Sequence, residues 1–593
     1  MPIEVDVAAL SFTSRDIRLG DIQPLIDGEV ATRAPPEIGG NAVRWQLEQG
    51  VAILDIQPGQ IVRLRFRVDG LSADRAIDSL GLRFGRVDGL RSYLRNGYQS
   101  WDGSFFVDPG TPSGDGPPAK APTLGFALTA LLPRAGDGAV VLGFSRHDRF
   151  QSRLRFGGTA SAPTMDVETL WDRVPHAATV EAEPLVIFDD DEIEKALRLW
   201  SRITAEESPL PPRVPERRIT GWCSWYNLYA AIDERLILEH LGAASKFRDQ
   251  RNVPLDVFQI DDGFTPEMGD WLDVKPQFPR GMKPLIADIA TAGFTPGLWI
   301  APFLVGNRSR LFTEHPDWVV QSTSSGPLIH MKFYSEFRWH KRSEEYYVLD
   351  VTHPDAAAYI RQVFRTWRHD WGARYFKTDF MNAGMEYGPK EARWHQAGLS
   401  RVAIWRRMAA IIRDEIGGAL WLGCGCPLWA SVGLIDAARI GRDIGVSWRG
   451  DYSAESLLRD QLTRNHASGI LWQADPDCVL LRGRFHEMSD DEVRSLLLFA
   501  GLSGGVLMTS DKLDEIPKER GNLFAQLLSL QGSRCDFPDF GNVSDGLIVQ
   551  RVTRPDRTVL LNLFNPTDAP IEWDNEDGTI EIAPHASRLI GSL

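Results

Sequence analysis

The segment 375–380, with the sequence YFKTDF, combines the features of a buried strand with two charged side chains. Its aromatic and β-branched residues pack well on a pleated surface, which predicts a strand. Burying an unpaired charge costs more than the packing of one strand returns. Lys377 and Asp379 must therefore be paired, or leave the core where the strand ends. Strand alternation places both on one face, two residues apart.

Other predicted strands also end in residues able to do chemistry or to bind a polar ligand. These residues are Asp261, Asp262, Trp299, Cys424, Arg439, Asp443, Asp475 and Asp477. Each taken alone has an ordinary explanation, since Asp favours turns and helix N-caps, cations form surface ion pairs and Trp fills cores. Their joint occurrence at successive strand ends favours a functional site.

The carboxylates at these strand ends suggest glycoside chemistry. One carboxylate stabilises or traps an oxocarbenium-like state while a second protonates the departing oxygen. Asp379 and Asp443 are the natural pair, because the ends of the fourth and sixth strands can face one another across a barrel mouth. No His ligands lie at the strand ends, and Cys424-Gly425-Cys426 lacks the spacing and the second ligand pair of a zinc site. We expect no metal and no cofactor.

The elements that position these residues form a run of alternating strands and helices. Apolar strand segments are predicted at 219–225, 255–261, 295–302, 374–380, 419–425, 436–441, 469–475 and 504–510. Amphipathic helical segments separate them, as in a parallel sheet with crossover helices. Eight such units over 215–530 predict a closed (β/α)8 TIM barrel. An open doubly wound sheet is the alternative, but no phosphate-binding glycine pattern follows the first strand.

Two β-rich regions flank this run, so the predicted fold class is α/β multidomain. Residues 1–200 show short alternating strands and then a linker helix, and are expected to form an N-terminal β-sandwich domain. Four prolines within 209–215 mark a domain boundary. Residues 535–593 predict a small C-terminal antiparallel β-sandwich domain. A chain of 593 residues has room for this three-part organisation.

Composition limits the kinds of partner. The formal net charge of -15 disfavours nucleic acid and anionic membranes, and no apolar run is long enough to span a bilayer. The 19 Trp are compatible with a large core or with a carbohydrate site, where aromatic faces stack on sugar rings. The five cysteines, and a start without the pattern of a signal peptide, predict a cytoplasmic location. The oligomeric state is left open.

Several motifs, in order over the predicted barrel, resemble glycoside hydrolase family 36, the α-galactosidase (melibiase) family, which shares a clan with family 27. They are GWCSWYNLY (221–229), VFQIDDGF (257–264), GDWL (269–272), PGLWIAPF (296–303), EHPDWVV (314–320), YFKTDF (375–380), LGCGCPL (422–428), DAARIGRD (436–443) and DPDCVLLR (475–482). NGYQSW (96–101) extends the resemblance into the N-terminal region.

The resemblance implies a retaining α-galactosidase acting on terminal α-galactosides. Asp379 would be the nucleophile, with its pKa lowered by Lys377, and Asp443 the general acid/base. The residues implied to bind substrate are Asp261 and Asp262 (O4 and O6), Lys377 (sugar hydroxyls), Arg439 (near the acid/base), Trp299 (an apolar wall), Cys424 and Gly425 (near O2), and Trp225, Tyr226 and Tyr98 or Trp101 (the rest of the pocket).

Two departures from the family pattern concern the mouth of the barrel. Arg442 stands where a proline is common, and 327–342 predicts an extended loop after the third strand. Alternatives with the same two carboxylates are an α-N-acetylgalactosaminidase and an α-galactosyl transglycosylase. A non-catalytic carbohydrate-binding barrel is a further alternative, although binding alone requires neither a nucleophile nor an acid.

Overall fold

The computed structural model describes residues 3–113, 121–332, 343–450, 452–538, 540, 546–575 and 578–593. These residues form a mixed α/β structure with large sheets, which confirms that part of the predicted fold class. None of the helices found in these ranges is both long and apolar enough to cross a membrane. Within the predicted loop 327–342, the structure describes 327–332 and 333–342 lies outside the described residues.

The N-terminal part contains two antiparallel sheets that share one apolar core. The first sheet comprises Glu4–Asp6, Ser11–Ser14, Ile17–Ile26, Glu29–Val30, Ser79–Asp88, Leu124–Phe126, Gln151–Thr159 and Ala162–Leu170. The second comprises Glu37–Gly39, Ala42–Gln46, Val51–Gln57, Val62–Asp69, Leu90–Arg95, Phe105–Val107, Leu128–Pro133, Ala139–Phe144, Thr179–Glu181 and Leu185–Asp190. Inward-facing residues of both, such as Leu82 and Phe66, belong to the same buried cluster. Two strands of the second sheet, Leu128–Pro133 and Ala139–Phe144, are buried on both faces, because alternate residues such as Ala130 and Val141 belong to the cluster of the central part.

The central sheet is parallel, and the two ends of its strand order are neighbours in the chain. Its strands are Thr220–Cys223, Val257–Ile260, Thr295–Ile300, Tyr375–Thr378, Leu420–Gly423, Ala437–Arg439, Gln473–Asp475, Cys478–Val479 and Leu507–Thr509. Gln473–Asp475 and Cys478–Val479 occupy the two ends of the strand order, and only two residues separate them in the chain. Each of the eight predicted strand segments contains one of these strands, so all eight are confirmed; Cys478–Val479 lies outside them.

Helices connect the central strands and cover the outside of the sheet. The α-helices of the described ranges are Ile193–Glu207, Trp225–Leu228, Glu234–Arg251, Met282–Thr291, Arg310–Glu314, Pro354–Arg365, Arg401–Ile416, Ala454–Arg464, Asp490–Leu502 and Lys518–Leu528. Side-chain caps fix several starts; for example, Asp233 accepts the Leu236 N–H at 2.7 Å. Such caps satisfy backbone donors that have no partner within the helix. Helix starts, and with them the loops above the strands, are thereby held in place.

Additional small sheets lie after the third central strand and at the C-terminus. Leu304–Gly306, Ile329–Lys332 and Glu345–Val348 form one, and Gln321–Ser322 pairs with Ala392–Arg393. The C-terminal strands are Arg534–Asp536, Ile548–Thr553, Val559–Phe564, Ile571–Asn575, Gly578–Ile582 and Ser587–Ile590. Phe564 packs on Phe499 of the helix Asp490–Leu502, with ring centroids 5.7 Å apart, so the C-terminal strands share the central core.

Candidate active site

Asp379 emerges directly from the end of the fourth central strand and is held on both oxygens. Its N–H continues the sheet ladder to the Ile300 carbonyl at 2.8 Å. The chain then turns sharply, because Phe380 has a left-handed φ of 51°. That turn lets the Phe380 N–H donate to Asp379 Oδ1 at 2.8 Å, while Trp299 Nε1 donates to Oδ2 at 3.0 Å. The carboxylate therefore has a defined orientation.

The partner of Lys377 is Asp261. Lys377 Nζ donates to Asp261 Oδ2 at 2.9 Å, and both side chains are buried. The same oxygen accepts from Gln259 Nε2 at 2.7 Å and from the Cys223 thiol at 3.3 Å. Burial is the largest single influence and lowers the pKa of Lys377, but the Asp261 carboxylate, together with Cys223 and Cys424, raises it by more, so that the pKa of Lys377 is held well above its ordinary value. The two charges of YFKTDF are thus satisfied separately.

The pKa of Asp379 differs from the sequence-based expectation. Burial raises this pKa above its ordinary value, and the charge of Asp443 acts in the same direction. Lys377 and the Trp299 hydrogen bond lower the pKa, as expected, but less than burial and Asp443 raise it. The prediction of a net lowering by Lys377 was therefore wrong, because Lys377 is paired with Asp261 and Asp379 is buried near a second carboxylate.

Arg439 gathers three carboxylates at the ends of the sixth and seventh strands. Its Nη1 donates to Asp443 Oδ1 at 2.8 Å, its Nε to Asp475 Oδ2 at 3.3 Å and its Nη2 to Asp477 Oδ1 at 2.7 Å. The contact with Asp475 follows from the register of the sheet, since Arg439 lies opposite Asp475 on the neighbouring strand. The guanidinium is buried, whereas the Asp443 side chain is 40% exposed. Asp443 is thus held by a buried guanidinium, while its own carboxylate is accessible to solvent.

Asp477 was singled out in the sequence only as a strand-end acid, without a role in the site. It is buried, accepts from the Tyr226 hydroxyl, and accepts the Ile444 N–H at 2.8 Å. Burial raises its pKa to about 7, with Asp443 and Asp475 acting in the same direction and Arg439 against it. In the sequence, the only indication of a role for Asp477 is that it is a second acid, two residues after Asp475 at the end of the seventh strand. Sequence alone does not show that it supports Arg439.

The loop 96–104 of the N-terminal part docks onto the loop after the fifth strand. Ser100 N–H donates to the Cys426 carbonyl at 3.1 Å, and Cys426 N–H donates to Ser100 Oγ at 3.0 Å. Gly425 has a φ of 51°, and a Cβ there would lie 2.7 Å from the Trp101 ring. Glycine is therefore required for Trp101 to approach. The indole Nε1 of Trp101 is buried and has no hydrogen-bond partner among the described residues.

The buried Cys424 thiol lies close to both candidate carboxylates. Burial raises the pKa of Cys424 well above its ordinary value, and the charges of Asp379 and Asp443 act in the same direction. Its N–H donates to the Thr378 carbonyl at 2.7 Å, which ties the fifth strand end to the fourth. The fourth, fifth and sixth strands therefore contribute to one site.

The remaining predicted residues are distributed around this site. Asp262 is buried, and its N–H donates to Asp261 Oδ1 at 2.9 Å. Trp225 is half-buried and lies edge-on to Tyr229, with ring centroids 5.4 Å apart. Tyr98 lines a different cavity of about 440 Å³ together with Glu386. Of the two aromatic alternatives in the N-terminal loop, the structure brings Trp101 against Gly425.

Arg442, one of the two departures, contacts the same N-terminal loop. Its Nε lies 3.4 Å from the Trp101 carbonyl. Within the ranges that the structure describes, no group of three or more His, Cys, Asp and Glu side chains is arranged to hold a metal ion. The negative charges of Asp443, Asp475 and Asp477 are instead balanced in part by the guanidinium of Arg439.

Part of the chain is similar to known proteins in sequence. Residues 224–410 match the model of the melibiase family. The α-galactosidase of Escherichia coli is 26% identical over 212 residues, which are 34% of this chain and 27% of that protein. Emericella nidulans α-galactosidase C is 26% identical over 274 residues, or 43% of this chain and 33% of that protein. The chain thus matches about a quarter to a third of the length of these relatives.

Solved structures match over a much larger part of the chain. An α-galactosidase from Thermus thermophilus, solved in complex with stachyose, has a TM-score of 0.62 and 26% identity, covering 82% of this chain and 99% of that chain. A family 36 α-galactosidase from Geobacillus stearothermophilus has a TM-score of 0.61 at 13% identity, covering 98% of this chain and 86% of that chain, and so shows the fold alone. The predicted resemblance to family 36 is confirmed. The melibiase match includes Asp379 but stops before Asp443.

Proposed function

We propose that this chain is a retaining α-galactosidase that hydrolyses terminal non-reducing α-D-galactosyl residues through a covalent galactosyl-enzyme intermediate. One observation carries the proposal: a buried, doubly hydrogen-bonded Asp379 and a half-exposed, Arg-anchored Asp443 act electrostatically on one another at the same edge of the sheet. Retaining glycosidases use such a pair about 5 to 5.5 Å apart. The named relatives, α-galactosidases of bacteria and fungi, support the choice of sugar.

In the proposed first step, Asp379 attacks the anomeric carbon while Asp443 donates a proton to the departing oxygen. The hydrogen bonds from Trp299 and Phe380 N–H fix the attacking carboxylate. In the second step, Asp443 removes a proton from water, which displaces Asp379 from the sugar. The exposure of Asp443 suits this exchange, because both the leaving group and the water reach it from outside.

The proposed binding residues surround the position of a galactose. Asp261 and Asp262 are assigned to O4 and O6, and Lys377, already oriented by Asp261, to neighbouring hydroxyls. Trp299 would supply an apolar wall. The free indole N–H of Trp101 is a candidate donor to a sugar hydroxyl. Arg439, Tyr226 and Trp225 would complete the acid/base side, and Tyr98 the periphery.

The region near O2 favours galactose over N-acetylgalactosamine. Cys424 is assigned to this region, and its thiol is buried. The neighbouring Gly425 lies against the Trp101 ring, so closely that a Cβ would lie 2.7 Å from that ring. An acetamido group is much larger than a hydroxyl, and close-packed walls accommodate added volume poorly.

We also propose the finer architecture: an N-terminal β-sandwich (1–200) with its linker helix, a catalytic (β/α)8 barrel (215–530) and a C-terminal antiparallel β domain (535–593). The two ends of the central strand order, Gln473–Asp475 and Cys478–Val479, are separated by only two residues of chain, which supports a closed barrel. The substrate would be a small galactoside or an oligosaccharide, in line with the stachyose complex of the Thermus thermophilus enzyme. Five buried, unpaired cysteines support a cytoplasmic location.

The test is a set of initial rates on the p-nitrophenyl glycosides of α-galactose, α-N-acetylgalactosamine, α-glucose and β-arabinopyranose. The anomer of the first product is followed by NMR. We expect the highest kcat/KM on the α-galactoside, and α-galactose as the first product. An Asp379→Asn variant, which keeps size but removes the charge, is the control for a contaminating glycosidase. First-formed β-galactose, or no rate on the α-galactoside, would overturn the proposal.

A further inference from the structure

The buried carboxylate of Asp477 accepts four hydrogen bonds from the protein. Its Oδ1 accepts Arg439 Nη2 at 2.7 Å and the Cys478 N–H at 2.7 Å. Its Oδ2 accepts the Ile444 N–H at 2.8 Å and the Tyr226 hydroxyl. A carboxylate offers about four lone-pair positions, so protein donors occupy both oxygens of Asp477. This acid therefore acts on the surrounding protein and not on a sugar hydroxyl.

Two of these four donors lead directly to Asp443. While Nη2 of Arg439 donates to Asp477, Nη1 of the same guanidinium donates to Asp443 Oδ1 at 2.8 Å. The second donor, the Ile444 N–H, belongs to the peptide unit that joins Asp443 to Ile444, and that unit is planar. Asp477 therefore restrains the side chain of Asp443 through Arg439 and its backbone through Ile444.

The backbone of Asp477 adopts a left-handed conformation. Its φ is 85°, in a region that residues other than glycine seldom adopt. Asp475 Oδ1 accepts the Asp477 N–H at 2.9 Å and so holds this turn. The turn brings the Asp477 carboxylate to the guanidinium of Arg439. Backbone strain of this kind is concentrated at functional sites.

Asp477 also controls how much of the charge of Arg439 acts on Asp443. Burial lowers the pKa of Arg439, but Asp477 is the group that raises it most, and the pKa is held well above its ordinary value. A guanidinium that faced Asp443 alone would favour the ionised carboxylate, whereas the proposed first step requires a proton on Asp443. By sharing the guanidinium with Asp475, Asp477 offsets part of this charge.

The Tyr226 hydroxyl allows Asp477 to keep its other contacts when it takes up a proton. Burial raises the pKa of Asp477 to about 7. Of its four donors, only the Tyr226 hydroxyl can also accept a hydrogen bond. Rotation of this hydroxyl accommodates a proton on Oδ2, while Arg439 and the two backbone N–H groups remain donors. Tyr226 is therefore a partner of Asp477.

We propose that Asp477 is a positioning residue for the acid/base Asp443, and that Tyr226 supports it. Asp477 fixes the Arg439 guanidinium and the peptide after Asp443, so that the Asp443 carboxyl group meets the departing oxygen. The inference rests on the proposed α-galactosidase function and deepens it. It gives Tyr226 an effect on proton transfer that is exerted through Asp477.

The test compares two substrates that differ in their need for an acid. The sugar leaving group of melibiose requires a proton, whereas p-nitrophenolate departs with little help. A misplaced acid therefore raises the ratio of kcat/KM on p-nitrophenyl α-galactoside to kcat/KM on melibiose. In Asp477→Asn this ratio should rise about tenfold, chiefly through kcat on melibiose. Asparagine keeps the size and tolerates a left-handed backbone, but its NH2 group cannot accept a donor.

Two further variants separate positioning from other roles. Tyr226→Phe removes only the hydroxyl and should raise the same ratio about two- to fivefold, with KM unchanged. A hydroxyl that bound the sugar would instead raise KM on both substrates alike. In an Asp443→Ala background, Asp477→Asn should change the ratio no further, because no acid remains to be positioned.

Asp511→Asn is the matched control. Asp511 is also a buried acid just beyond a central strand. It accepts the N–H groups of Leu481 and Arg482 and pairs with the Arg482 guanidinium at 3.2 Å. Its replacement removes a similar buried charge at a different arginine, so the ratio should equal that of the wild type.

The outcomes distinguish the two proposals. If the wild type hydrolyses neither substrate, the proposed function fails. If the wild type is active and Asp477→Asn lowers kcat/KM equally on both substrates, or leaves the ratio unchanged, the positioning role is wrong. Should Asp477→Asn fail to fold, Tyr226→Phe decides, and an unchanged ratio in that variant overturns the proposal.

Discussion

Replacing Lys377 by methionine removes one half of the buried ion pair at the centre of the site. The Lys377 and Asp261 side chains are 7% and 2% exposed, and their charged atoms are 2.9 Å apart. Methionine has nearly the length of lysine but no charge. In Lys377→Met, the Asp261 carboxylate would therefore stay buried without its cation.

The size of the effect follows from what remains around Asp261. Breaking a buried pair by removing one partner costs about 3–5 kcal/mol of stability. Asp261 keeps the Gln259 amide at 2.7 Å and the Cys223 thiol at 3.3 Å, so we expect a loss near the lower end of that range. Lys377 also lowers the pKa of Asp379 more than any other group does. Its removal raises that pKa, and the acid limb of the kcat/KM profile should move to higher pH, because attack requires the ionised carboxylate.

The assay combines urea unfolding at pH 7, followed by circular dichroism, with a pH profile of kcat/KM on p-nitrophenyl α-galactoside. The double variant Lys377→Met/Asp261→Asn should lose less stability than the two single variants together, since it leaves no orphaned charge. Lys195→Met removes the exposed ion pair to Asp190 and should show no measurable change. A Lys377→Met protein within about 1 kcal/mol of the wild type, with an unmoved acid limb, would refute the reasoning.

Three further predictions concern the carboxylates of the site. Asp379→Gly should lower kcat by roughly 10⁴-fold or more, and azide should restore turnover with a product of inverted, β configuration; an α-azide would contradict the nucleophile role. Asp443→Ala should slow hydrolysis of melibiose far more than that of p-nitrophenyl α-galactoside, because the better leaving group needs less protonation, and equal losses on both would contradict the acid role. Asp477, whose pKa is raised from 3.8 to about 7, makes a contribution to the unfolding free energy that is fully present below pH 3.8 and is lost as pH rises through about 7. Asp477→Asn should flatten this part of the curve of unfolding free energy against pH, and an unchanged curve would show that Asp477 does not titrate there.

Much of the local structure could be predicted because short-range physics determines it. Each predicted central strand is a short apolar run bounded by turn residues, and such runs are buried wherever the chain places them. Polar residues at the ends of these runs had to lie at the carboxyl edge, since an unpaired charge is excluded from the interior. Together with the two-carboxylate requirement of glycoside cleavage, this reasoning gave Asp379 and Asp443 as the predicted catalytic pair.

Contacts between distant segments were not predictable in the same way. Sequence proximity suggested Lys377 as the partner of Asp379, yet its ammonium contacts Asp261, 116 residues away. The indole of Trp299 takes the place beside Asp379, because parallel pairing puts Trp299 opposite Lys377. The pKa of Asp379 rises as a result of enclosure, which no local pattern records.

By itself, the sequence determined which side chains reach the polar edge of the sheet, through alternation along each strand and the cost of burying charge. Only the tertiary structure decided how those side chains pair. Parallel pairing of Ala437–Arg439 with Gln473–Asp475 brings Arg439 to Asp477, and docking of the N-terminal loop brings Trp101 against Gly425. The physical reason is that a strand's periodicity depends on its own residues, whereas ion pairs and pKa values depend on which strands become neighbours.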